Sequence, residues 1–146
     1  MPLDPVTLKS DLEAFFAAPP PTRLECGEAW AAAMSAYAAS VVPPSTTVEA
    51  AAASLATALA TAFENPAAAS LVDAAFLLFA TSVAVGMAPT FTGAPPPSPL
   101  GIAALLASSA PTHGDGALAF ASHIDSWFKT GTATLVAPPN TVVPWS

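Results

Sequence analysis

Four proline clusters cut this chain into apolar segments: Pro19-Pro20-Pro21, Pro43-Pro44, Pro95-Pro96-Pro97 with Pro99, and Pro138-Pro139. Proline cannot continue a helix interior, and it pushes the residue before it toward extended backbone. The segments between the clusters carry helical spacing of apolar residues. The pattern therefore predicts helices joined by stiff, extended connectors rather than low-complexity disorder.

The most apolar segment is 67–88, which holds one charge, Asp73, in 22 residues. As a helix it places Val72, Phe76, Phe79 and Val83 on one face, with Leu71, Leu78 and Val85 on another. A helix that is apolar nearly all round is a buried one, so residues 71–85 are expected at the centre of the molecule. The fold class that follows is all-α: a bundle of five to six helices around this central apolar helix, with a short extended or β-hairpin C-terminal arm. The bundle is expected to cover residues 1–131 and the arm residues 132–146.

Capping signals place the other helices. Asp4 followed by Pro5 opens the first, with Leu8, Leu12, Phe15 and Phe16 on its buried face. Thr22 with Glu25 forms a capping box for a second helix, whose apolar face is Cys26, Trp30, Ala33, Tyr37 and Val41. Gly27 inside it costs roughly 1 kcal/mol against alanine, which points to a frayed first turn or a tight contact. Thr46 with Glu49 should open a third helix that runs to about Glu64, with Val48, Ala52, Leu55, Leu59 and Phe63 along one side. Asn65 and Pro66 end it. Ser70 with Asp73 has the same spacing at the start of the central helix, and Gly86 is placed for a left-handed C-cap. Residues 90–98 read as a Pro/Gly loop, and Ser98-Pro99 can start a short helix through Leu105 or Leu106. Thr112 with Asp115 opens a last helix with a core face of Ala117, Phe120, Ala121, Ile124, Trp127 and Phe128. Asp125 and Lys129 pair within it, and Gly131 stops it. Beyond it, 132–136 and 141–143 are short β-branched runs separated by Pro138-Pro139-Asn140, a sequence that permits a turn.

Charge narrows the function classes. Charged residues make up 9% of the chain and hydrophobic ones 53%, against roughly 25% charged in an average globular domain. That balance opposes intrinsic disorder and leaves an exterior of Ala, Ser, Thr and Pro suited to subunit packing. The net charge is −7, with Lys9, Arg23 and Lys129 as the cations. Neutralising phosphates takes clustered Lys and Arg, so no direct nucleic-acid binding is expected. Cys26 is the single cysteine, which rules out an internal disulfide. The N-terminal run lacks a basic stretch followed by an apolar one, so it does not read as a secretory signal. The segment 67–88 is long enough to span a bilayer, but it contains Asp73 and has no flanking Lys/Arg cluster; no membrane association is expected.

Each polar constellation has a structural explanation that outweighs a chemical one. His113, Asp115, His123 and Asp125 offer metal-ligand chemistry. The two histidines, however, are ten residues apart on a helix, and their carboxylates serve a cap and an ion pair. Asp73 is better explained by the helix N-terminus than as an acid with a raised pKa. Cys26 lies between Glu25 and Glu28, which oppose a thiolate. Glu13, Glu25, Glu28, Glu49 and Glu64 give no pair singled out by spacing, and the glycines form no phosphate-binding pattern. The sequence thus predicts no catalytic residues, no metal, no cofactor and no enzyme. Leu135, Val136, Val142, Val143 and Trp145 form the candidate interaction site, because aromatic anchors on terminal arms are enriched at interfaces. Trp145 could equally fold back onto its own bundle.

Two blocks carry a resemblance: FLLFATSVAVGMAPTFTGAP from Phe76 to Pro95, and HIDSWFKTGTATLVAPPNTVVPW ending at Trp145. Together they cover about a third of the chain and resemble small structural proteins of tailed-bacteriophage particles. The resemblance implies a virion component of the neck, tail or baseplate, assembled in the host cytoplasm as a homo-oligomer beside other virion proteins. It carries no catalytic residues. The alternative expectation is a helical binding module enclosing an apolar ligand.

Overall fold

The computed structural model describes residues 3–107 and 110–146. Six helices run in chain order: α1 (Pro5–Ala17), α2 (Arg23–Ala38), α3 (Val48–Phe63), α4 (Ala68–Val85), α5 (Ile102–Ala107) and α6 (His113–Phe128). Three short strands, β1 (Phe91–Ala94), β2 (Thr132–Leu135) and β3 (Val142–Pro144), form an antiparallel sheet in the order β1-β2-β3. The protein is thus mostly helical, with a small sheet near the C-terminus.

The helix starts at Asp4, Thr22 and Thr112 form as their residue types dictate. Asp4 accepts from the Val6 N–H at 2.9 Å. Thr22 and Glu25 make both bonds of a capping box, and the Thr112 hydroxyl accepts from the Asp115 N–H at 3.1 Å. Packing runs α6–α1–α2–α3–α4, with α5 and β1 against α4. The rings of Tyr37, Phe79 and Trp145 all meet Phe128, at centroid distances of 5.7, 6.2 and 4.9 Å. This is where α2, α4, α6 and the C-terminal segment share one core.

The other two capping boxes are corrected. The N-cap of α3 is Thr47, with no side-chain cap bond. Thr46 and Thr47 instead bond the C-terminal end of α4: the Thr46 N–H donates to the Gly86 carbonyl at 3.0 Å and the Thr47 hydroxyl to the Ser82 carbonyl at 2.5 Å. The Gly86 carbonyl lies past the last helical bond and takes the Thr46 N–H and hydroxyl, while the Ser82 carbonyl accepts the Thr47 hydroxyl in addition to the Gly86 N–H. For α4 the N-cap is Ala67, whose own N–H donates to Asn65 Oδ1 at 3.0 Å. Asp73 lies beyond the first turn of α4, and its carboxylate accepts from the N–H of Ile102, the first residue of α5, at 2.9 Å. It caps a neighbour rather than its own helix. Gly101, in the left-handed region at φ 77°, turns the chain into α5, so that helix starts after the expected Ser98-Pro99.

Gly86 is not a left-handed cap either, since its φ is −69°. Its lack of a side chain has another cause. A Cβ there would run into the hydroxyls of Ser45 and Thr47 and sit 2.8 Å from the Thr47 nitrogen. Part of the expected loop 90–98 is β1, because Phe91–Ala94 pairs with Leu135–Thr132. Strand β1 belongs to the expected bundle and β2 to the expected arm, so the boundary between 131 and 132 is crossed by a β-ladder.

Gly27 marks the tight contact its position suggested. A Cβ on it would meet the Ala56 carbonyl oxygen and lie 3.2 Å from the Ala60 nitrogen, both backbone atoms of α3. Alanine gains about 1 kcal/mol of helix propensity over glycine, but overpacking costs typically about 1–3 kcal/mol. Gly27→Ala is therefore expected to destabilise by about 1–2 kcal/mol in denaturant titration, and Gly27→Val by more.

Candidate functional site

The expectation that α4 is enclosed on every side is overturned. Val72, Phe76, Phe79 and Val83 are buried, but Leu71, Leu78 and Val85 are 37%, 65% and 67% exposed. These three recur every seven residues and so lie along one side of the helix. The reason is geometric. Helix α3 flanks α4 on one side, α5 and β1 reach it on another, and rings from α2 and α6 cover Phe76 and Phe79; among the described residues these elements leave Leu78 and Val85 largely exposed. By length and composition α4 could also cross a membrane, with a mean hydropathy of 1.9.

The uncovered side continues onto α3. A shallow groove between the two helices is lined by Ala53, Thr57, Thr61, Leu71, Ala74 and Leu78, among others. No Lys, Arg, Asp or Glu occurs between Glu49 and Glu64, nor from Ala74 through Gly114. Asp73, the one charge on α4, is turned to Ile102. Helix α4, at 18 residues, is about 27 Å long; with α3 about 9 Å away, the uncharged face covers on the order of 500 Å².

A second apolar feature is a cavity of about 440 Å³. Its walls carry Phe15, Phe16, Trp30, Phe63, Phe76 and Phe120, with Arg23, Cys26 and Leu106 also lining it. The rings interlock: Phe16 sits 5.5 Å from Phe120, and Trp30 is 5.8 Å from Phe15 and 6.1 Å from Phe76. Periodicity assigned these residues to helix faces but did not reveal that their convergence leaves a void. That depends on how α1, α2, α4 and α6 cross.

The residues of the candidate C-terminal site separate into two groups. Val136 and Val142 are exposed, and Leu135 and Val143 are half-buried. Trp145 is 1% exposed and lies on its own bundle, over Phe128 and Gly131. Gly131 lies past the helix cap Lys129; a Cβ on it would come within 2.5 Å of the Trp145 ring. The segment's own bonds hold it down. The Val42 N–H donates to the Ser146 carbonyl at 2.8 Å, and Asn140, at φ 54°, closes the hairpin with its amide on the Leu135 and Val136 carbonyls. Trp145 Nε1 is buried with no hydrogen-bond partner among the described residues.

The polar candidates are engaged in structure. Asp125 accepts from the Tyr37 hydroxyl at 2.7 Å and from Lys129 Nζ at 3.0 Å. His123 Nε2 meets the Leu100 carbonyl, Asp115 serves the Thr112 cap, and His113 is exposed at the start of α6. The Cys26 thiol points at the Pro20 carbonyl, 3.5 Å away. Among the described residues no three His, Cys, Asp or Glu side chains gather as a metal site would require.

Burial, aided by the hydrogen bond to Asp125 and its charge, holds the Tyr37 phenol far above its ordinary 10.0. The folded form therefore keeps this proton where the unfolded chain loses it. The contribution to stability is whole below about pH 10 and falls away as the pH rises above that, by about 1.4 kcal/mol per pH unit. Tyr37 is the single tyrosine, so phenolate absorbance in an alkaline titration should appear only as the protein unfolds. Tyr37→Phe should remove this limb of the pH dependence.

Fold and surfaces define a small helical bundle with an attached antiparallel sheet, an uncharged two-helix face and an apolar cavity. No protein-family model, no curated protein and no solved structure matches the chain.

Proposed function

We propose that this protein is a non-enzymatic structural component of a tailed-phage particle, assembling with copies of itself and with other virion proteins into a ring or larger assembly. The observation that carries the reading is the uncharged α3/α4 face with Leu71, Leu78 and Val85 exposed along it. Two such faces of about 500 Å² bury about 1,000 Å² when they meet, the threshold for a specific interface. A chain of net charge −7 repels its own copies wherever its charges face one another, and a face without charges is where that repulsion is least. The resemblance of segments 76–95 and 123–145 to phage structural proteins supplies the biological setting, with the virion as the location. Val136, just past β2, and Val142, in β3, are exposed and form a second contact surface for neighbouring copies or other virion proteins; a face that pairs with itself closes a dimer, so a ring needs this second contact.

Sedimentation velocity over a dilution series tests the assembly reading. The expected result is a species at a multiple of the 14.5 kDa chain that dissociates on dilution. A single 14.5 kDa species at every concentration would remove the basis for the role.

A further inference from the structure

We propose that the aromatic cavity binds a single-chain amphiphile of the fatty-acid type, its hydrocarbon inside and its carboxylate at Arg23. This goes beyond the assembly role and does not depend on it. The cavity holds about 440 Å³, within the roughly 300–1,000 Å³ of small-molecule sites. Apolar cavities a third of that size stay dry and take up hydrocarbon.

The lining selects the ligand chemistry. Besides carbon, its side chains offer the Cys26 thiol, the Arg23 guanidinium and the indole N–H of Trp30; the thiol is turned to the Pro20 carbonyl, and Arg23 is the one charge. A ligand with several polar groups, such as a sugar or a nucleotide, would leave them unpaired against Trp30, Phe76 and Phe120, at a cost that burial cannot offset. A hydrocarbon with one polar end leaves nothing unpaired. The most exposed lining residues are Arg23 and Leu106, which places the mouth of the cavity beside Arg23. Of the three ion pairs among the described residues, Arg23–Glu64 is the longest at 3.8 Å, against 3.1 and 3.0 Å for the lysine pairs, and both its side chains are largely exposed. An exposed pair of that kind is weak, so a carboxylate leaving the cavity can take Glu64's place on the guanidinium. Glu64 is the one acidic group paired there, and it is a competitor that the ligand must displace.

Calorimetric titration of the full chain with monomeric decanoate and dodecanoate tests this. Each added methylene buried should tighten binding about fourfold, which makes dodecanoate about fifteenfold tighter than decanoate. Arg23→Gln should weaken dodecanoate about two- to fivefold and leave dodecanol unchanged. Bound dodecanoate should slow alkylation of Cys26, a readout on the wild-type fold. Ala69→Phe, which fills the cavity from α4, should abolish binding. Absence of both heat and Cys26 protection below the micellar concentration would overturn the proposal, as would equal binding of dodecanol and dodecanoate. Binding to phospholipid vesicles but not to the free acid would overturn it as well, pointing to a membrane surface in place of a cavity.

Discussion

Trp145→Ala is expected to cost about 3–5 kcal/mol, the range for removing a buried tryptophan. The side chain is 1% exposed, its ring lies 4.9 Å from Phe128, and Gly131 has no Cβ to obstruct it. Natural domains keep only about 5–15 kcal/mol in all. At about 3 °C per kcal/mol for a chain of this size, the melting midpoint should fall by about 10–15 °C in calorimetry. Gly131→Val should produce a loss of the same kind, since it forces the ring off its seat. Removal of residues 132–146 should go further, because β1 loses its partner strand as well. This prediction separates two roles for the C-terminal arm. If Trp145→Ala left the melting midpoint unchanged yet lowered the assembly state, the tryptophan would be docked on a neighbour and not on its own bundle.

Leu78→Glu is expected to weaken self-association by about three orders of magnitude while leaving the fold intact. Leu78 is 65% exposed, and a substitution on a monomer's open surface ordinarily shifts stability by no more than about 0.5 kcal/mol. Circular dichroism and the melting midpoint of the dissociated chain should therefore match the wild type. In an interface formed by the same face on both partners, every substitution occurs twice. At about 2 kcal/mol for each buried hot-spot position, the two together correspond to about a thousandfold in Kd. Leu118→Glu, at a residue of α6 that is also exposed, at 52%, but outside this face, should leave association unchanged. Equal effects from the two variants would mean that general surface charge, not this face, governs association.

Much of the fold was legible because the local chemistry is unambiguous. Asp4-Pro5, Thr22 with Glu25 and Thr112 with Asp115 begin helices by satisfying free N–H groups within four residues of sequence, and the proline clusters end or separate helices without outside help. The misreadings share one cause, which is that the partner lay far away in sequence. Asp73 has the spacing of a capping box, but its acceptor oxygens are used by Ile102, 29 residues on. Thr46 and Thr47 have the right types for an N-cap, yet the carbonyls they satisfy belong to the end of α4. Phe91–Ala94 contains a glycine and adjoins four prolines, and only pairing with β2 makes it a strand.

The same limit governs the surfaces. Spacing put Leu71, Leu78 and Val85 on a face distinct from that of Phe76 and Phe79, and this is how they lie. Whether another element covers that face depends on how many are left over, which is a matter of global packing. The cavity was illegible for a related reason: six aromatic side chains on helix faces read as core, and the space they fail to fill appears only when the helices are placed. Trp145 was legible as an anchor, and what it anchors to became visible with Gly131 and Phe128 beneath it.

The claim on which this account rests is that the α3/α4 face is covered by another copy of the chain. It can be read at one position. A Cys26→Ser, Leu78→Cys protein carries a single thiol in the middle of that face, and its alkylation rate can be followed from high concentration to dilution. The account predicts a thiol that is strongly protected when concentrated and becomes as reactive as a free surface cysteine on dilution, in step with dissociation. A thiol that reacts at the free rate at every concentration would contradict it.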